Sequence, residues 1–136
     1  MILVDTNVLM YAAGSNHPNQ ASCINFLNLA SDKDVDAVLD SEVLQEILHR
    51  YRSIGRWALG CEIFDLAIIV FDEILPITRQ DVVWARQVMS RGEGISARDA
   101  IHIAVAETHG MDAICTFDRG FEDISTISRR EPKEFI

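Results

Sequence analysis

The chain has 136 residues, 49 % of them hydrophobic, enough for one globular domain whose core folds without disulfides or a structural metal. Twelve basic against 21 acidic side chains give a net charge of −9, which excludes a protein that grips nucleic acid through a bulk positive field; any phosphate-bearing partner must be held locally. Cys23, Cys61 and Cys115 are odd in number, lie among apolar neighbours and form no CxxC pair, so they read as reduced core residues of a cytoplasmic protein and argue against a zinc site.

No basic stretch precedes the apolar start of the chain, and no apolar segment reaches the roughly 18 residues that span a bilayer, so a soluble protein without a membrane partner is expected. Ile2 to Val4 is a short apolar run without helical spacing, and Val8 to Ala13 follows as a buried helical turn: a strand feeding a helix. "GSNHPNQ" breaks the pattern, with Pro18 suited to the first position of the next helix. Cys23, Phe26, Leu27 and Ala30 then recur at helical spacing. After "SDKD", Ala37 to Leu39 reads as a second strand, closed by Asp40 and Ser41 as a helix start. One helix is expected from Glu42 to about Tyr51 and another from about Trp57 to Phe71. "LPIT" reads as a third strand, "TRQD" and "SARD" as capping boxes that start helices, and "AICTF" as a fourth strand. This alternation implies a parallel sheet covered by helices on both faces, within a single domain spanning residues 1–136.

Four carboxylates stand beside apolar segments. In open parallel sheets ligands bind beyond the carboxyl ends of the strands, where the strand order reverses. Asp5 ends the first strand and Asp118 the fourth, so the two converge if those strands are neighbours. Asp99 sits in the first turn of "ARDAIHIAVAETHG", a helix apolar nearly all round and so expected to be buried together with Asp99. Glu46 lies beside the stripe formed by Val43, Leu44, Ile47, Leu48 and Tyr51. Each acid also has a local explanation: Asp5 as a helix cap, Asp99 as the partner of Ser96 in a capping box, Glu46 in an i,i+4 pair with Arg50, and Asp118 as a turn residue before Gly120. Local roles leave unexplained why four carboxylates should gather at apolar segments, where their mutual repulsion calls for a hard divalent cation.

The stretches "VDTNVLMYA", "SEVLQEIL", "ARDAIHIAVA" and "CTFDRGFEDI", in this order, together with the terminal "PKEF", resemble the PIN domain, and the compact size resembles the VapC toxins of prokaryotic toxin–antitoxin pairs. The resemblance covers the whole chain. It implies a three-layer α/β/α sandwich with a central, mostly parallel sheet, and a metal-dependent ribonuclease that leaves a 5′-phosphate and a 3′-hydroxyl. Carried over residue by residue, the acidic site falls on Asp5, Glu46, Asp99 and Asp118 as catalytic and metal-binding groups, supported by Thr6 or Asn7 and by Thr116. The resemblance also implies an RNA substrate, a homodimer and a cognate antitoxin.

Oxygen-only ligands select Mg2+ or Mn2+ over zinc. None of the four histidines has metal-site spacing; His102 reads as a hydrogen-bonded core residue, and His17, His49 and His109 as exposed. Arg50, Arg98 and Arg119 are candidates to hold RNA phosphates, with Arg52 and Arg56 equally readable as a solvated helix face. Trp57, Leu59, Ile63, Phe64 and Leu66 exceed what a small sheet needs for cover and could include a surface for self-association or for an antitoxin helix. Two rival classes remain. A dehalogenase-like phosphatase also uses an aspartate after the first strand but needs a second one two residues on, where this chain has Asn7. A non-catalytic RNA-binding or scaffold module of the same fold would not need four intact acids.

Overall fold

The apolar trios at Ile2–Val4 (β1) and Ala113–Cys115 (β4) have the composition of strands covered on both faces, and both are wholly buried. In the computed structural model, which describes residues 1–124 and 126–136, they pair in parallel, with Leu3 opposite Ile114. β2 (Ala37–Asp40) flanks β1 on its other side and β3 (Ile74–Leu75) flanks β2, while β5 (Ser128–Arg130) lies outside β4. The order among the described residues is β3-β2-β1-β4-β5, every pair parallel. The chain therefore builds outward from β1 in one direction and returns to its other side, which puts the switch point between β1 and β4.

Side-chain alternation divides the core into two layers. Ile2, Val4, Leu39, Ala113 and Cys115 face α1 (Thr6–Ala13), α2 (Gln20–Ser31), α3 (Ser41–Ser53) and α4 (Trp57–Val70). Leu3, Val38 and Ile114 face α5 (Arg79–Met89) and α6 (Ala97–Thr108). The result is the expected α/β/α sandwich. Gly60 sits where α4 crosses α3: a Cβ there would lie 2.5 Å from Cβ of Tyr51, so only glycine permits this approach.

Several expectations shift. α2 begins at Gln20 rather than Pro18, because a turn in which Gln20 N donates to His17 O precedes it. The third strand ends at Leu75, before Pro76, which has no N–H to give a ladder, instead of running through "LPIT". β5 was not expected, since "SRR" has no apolar pattern; its backbone pairs with β4 at a sheet edge where side chains need not be buried. Leu48, placed in the buried stripe of α3, is 37 % exposed. Asp99 is half-buried rather than buried. No helix among the described residues is long and apolar enough to cross a membrane.

Candidate metal centre

Asp5 leaves β1 at the switch point and caps α1. Its Oδ1 accepts from Thr6 N at 2.7 Å, and its Oδ2 accepts from Thr116 Oγ1 at 2.7 Å and from Asn7 Nδ2 at 3.3 Å. Local and long-range roles thus coincide in one carboxylate, which is fixed by donors from both neighbouring strand ends. Thr116, fully buried, also accepts from Asn7 Nδ2 at 3.1 Å and from Asp118 N at 3.0 Å, and so ties the loop after β4 to the loop after β1. The supporting residues expected from the sequence, Thr6, Asn7 and Thr116, all bond to this network.

Glu46 does not pair with Arg50 among the described residues. Its Oε2 accepts from Thr6 Oγ1 at 2.6 Å and its Oε1 from Arg98 Nη1 at 3.0 Å, contacts that draw the carboxylate of α3 over the end of β1. Arg98 also reaches to 4.0 Å from Glu42. Asp99 shows a second departure from the local reading. Ser96 Oγ accepts from Asp99 N at 3.2 Å, but the return bond from Ser96 N to the Asp99 carboxylate is missing among the described residues. At Thr78 and Asp81 both halves of the box form, at 3.2 and 2.9 Å. "TRQD" is therefore a true capping box and "SARD" only a cap, which leaves the Asp99 carboxylate to the cleft. Asp118 is exposed and does act as a turn residue, accepting from Gly120 N at 2.8 Å, yet its side chain borders the same cleft.

That cleft, of about 590 Å³, gathers Asp5, Glu46, Asp99 and Asp118 together with Asn7, His49, Arg50 and Arg98. Arg119 stands outside its lining, exposed on the short turn Arg119–Phe121. Burial pushes the Asp5 carboxyl above its ordinary value, with Glu46 adding to the rise and His102, Thr116 and Thr6 opposing it. Burial raises Asp99 too, and the neighbouring charges of Asp118 and Asp5 raise it further. At Asp5 and Asp99, burial and neighbouring acids together disfavour the ionised form, the condition a cation would relieve, while the tight ligand group takes in Asp5 and Glu46 but neither Asp99 nor Asp118.

Sequence reasoning did not foresee the floor of the site. His102, on α6, is buried, and its Nδ1 donates to Asp40 Oδ2 at 2.6 Å, while Asp40 Oδ1 accepts from Val43 N at 3.3 Å as the cap of α3. His102 Nε2 is buried without a hydrogen-bond partner and lies 4.0 Å from Asp5 Oδ1. Burial alone would lower the imidazole pKa, but the charge and hydrogen bond of Asp40, with the charges of Asp5 and Glu46, lift it from 6.5 to about 9. Asp5, Glu46 and His102 each offer a donor atom within 4.8 Å of the others, a group able to coordinate a divalent metal. His102 is the hydrogen-bonded core residue that the sequence implies; what spacing cannot show is its contact with a strand end 62 residues away and its place beside Asp5 and Glu46.

Comparison with known proteins gives a consistent picture. The PIN domain family model matches residues 2–127. Ribonuclease VapC13 of Mycobacterium tuberculosis is 45 % identical over 129 residues, covering 95 % of this chain and 98 % of that protein. Ribonuclease VapC23 of the same species is 36 % identical over 118 residues, covering 87 % and 93 %. Among solved structures, FitAcB from Neisseria gonorrhoeae superposes with a TM-score of 0.75 at 19 % identity, covering 98 % of this chain and 99 % of the other. VapBC2 from Rickettsia felis, bound to a DNA fragment from its promoter, superposes with a TM-score of 0.73 at 18 % identity, covering 96 % and 98 %.

Proposed function

This chain belongs to the PIN-domain family and to its VapC-type toxin–antitoxin branch, and from that premise we propose that it is a metal-dependent endoribonuclease, the toxin of such a pair. The observation that carries the reading is the convergence of Asp5, Glu46, Asp99 and Asp118 on one cleft from four separate segments of the chain. The donor chemistry fits a divalent cation: burial and neighbouring acids disfavour the charged forms of Asp5 and Asp99, and protein hydrogen bonds fix the orientation of Asp5 and Glu46. The residues that would hold it are Asp5 and Glu46, with Asp99 and Asp118 beside them. When bound, Mg2+ or Mn2+ supplies Lewis-acid stabilisation of charge on the scissile phosphate and lowers the pKa of attacking water.

The protein's own groups do the rest. Thr6, Asn7 and Thr116 keep the Asp5 and Glu46 carboxylates aimed into the cleft. Asp99, whose carboxyl pKa is raised by burial and by the charges of Asp118 and Asp5, borders the cleft as the group to accept or return a proton. Arg50 and Arg98 supply positive charge at the cleft wall, where flanking phosphates of an RNA strand would lie in a molecule of net charge −9. Arg119, outside the cleft, is left to a more distant phosphate. Trp57, Ile68 and Ile69 leave apolar side chains exposed on α4, where an antitoxin helix or a second copy would dock, whereas Leu59, Phe64 and Leu66 are half-buried and packed against the core. Ile63, also expected there from the sequence, belongs to the core.

Incubation of purified protein with total RNA in Mn2+ or Mg2+ tests the proposal. Cleavage that stops in EDTA, with 5′-phosphate and 3′-hydroxyl ends, is expected; full activity in EDTA or 2′,3′-cyclic phosphate ends would overturn it.

A further inference from the structure

One ring nitrogen of His102, Nε2, takes no part in the hydrogen-bond network around Asp5. It is buried, without a partner, and 4.0 Å from Asp5 Oδ1. That is too long for a hydrogen bond, yet within the roughly 4.2 Å that two coordination bonds of about 2.1 Å each can reach at a wide angle. The opposite ring nitrogen is engaged by Asp40, itself fully buried and anchored by Val43 N. A carboxylate on one imidazole nitrogen, fixing ring orientation while the other nitrogen faces a cluster of ligands, is the arrangement found behind metal-bound histidines.

We propose that His102 Nε2 is a metal ligand beside Asp5 and Glu46, oriented by Asp40, and that this mixed nitrogen and oxygen site takes a first-row transition dication in preference to Mg2+. The proposal rests on the metal-dependent reading above and refines it. Coordination replaces the proton on Nε2, which passes to solvent. An imidazole donor favours transition ions over Mg2+, which prefers oxygen and water, so Mn2+ binds here more tightly than Mg2+. Asp40 acts as a positioning residue: it touches the ring and not the ion.

Mn2+ added to metal-free protein, followed by pulsed electron paramagnetic resonance, reads the donor set directly and independently of activity. The expected spectrum shows modulation from one imidazole nitrogen, altered by 15N-histidine labelling, and excess Mg2+ does not displace the ion. His102→Asn keeps an N–H for Asp40 but removes the second nitrogen; it is expected to lose the modulation and to weaken Mn2+ binding about tenfold or more. Mn2+ bound to the wild type without nitrogen modulation would overturn the proposal and leave an all-oxygen metalloenzyme. No Mn2+ binding at all would overturn both. His49 also lines the cleft, so His49→Asn is the second variant: it is expected to keep the modulation, and its loss there would assign the nitrogen to His49 and overturn the proposal even if His102→Asn fails to fold.

Discussion

Thr116 carries more of the site than any other neutral side chain, since one buried hydroxyl donates to Asp5 and accepts from Asn7 and Asp118 N. Thr116→Val keeps the shape and removes all three bonds, so it is expected to cost about 1–3 kcal/mol in urea unfolding and to weaken Mn2+ binding, measured by calorimetry. His102 sets a pH dependence in chelator. Its folded pKa of about 9 lies above the ordinary 6.5, so its contribution is fully present below about pH 6.5 and lost as pH rises through 9. Tm in EDTA should therefore fall across that window, by up to about 3 kcal/mol of stability, and His102→Asn should flatten the fall. Asp99 shifts in the same sense for a carboxylate: its raised pKa means that ionisation opposes folding at neutral pH, so Asp99→Asn is expected to raise the metal-free Tm at pH 7. A lowered Tm would show that the carboxylate has a structural role instead.

Among the elements, the contact between α3 and α4 positions Glu46 from behind. Gly60→Ala would place a methyl group 2.5 Å from Tyr51 Cβ, so the helices must separate, at an expected cost of about 1–3 kcal/mol by denaturant unfolding. A variant as stable as wild type would mean that α4 moves freely and does not brace α3. The elements that were legible in the sequence are those whose apolar pattern decides their fate, such as β1, β4 and α6, and those with a local cap, such as Thr78 before α5. Illegible were β5, a strand made only by backbone pairing with β4, and the true partners of Glu46. The spacing of Glu46 and Arg50 is identical whether or not they pair; tertiary contacts with Thr6 and Arg98 decided it.

For the molecule as a whole, the legible part of the site is the part that ends strands. Asp5 and Asp118 follow apolar runs, and parallel pairing of β1 with β4 brings their strand ends together as the sequence implied. The pair beneath them was hidden, because Asp40 looks like any helix cap and His102 like any buried polar residue until the fold sets them 2.6 Å apart. A net charge of −9 makes this acidic cleft a poor place for RNA unless a cation is bound there, so the reading stands or falls on metal binding. Thermal melts of wild type and Asp5→Asn, each with EDTA and with Mn2+, test it most directly: Asn still caps α1 through Oδ1, and each protein without metal is its own reference for the bonds from Thr116 and Asn7 that the amide gives up. Wild type is expected to gain about 2.7 kcal/mol when Mn2+ is present at a hundred times its dissociation constant, and Asp5→Asn much less. An equal gain in both proteins, or none in either, would contradict the account and return Asp5 to the role of a helix cap.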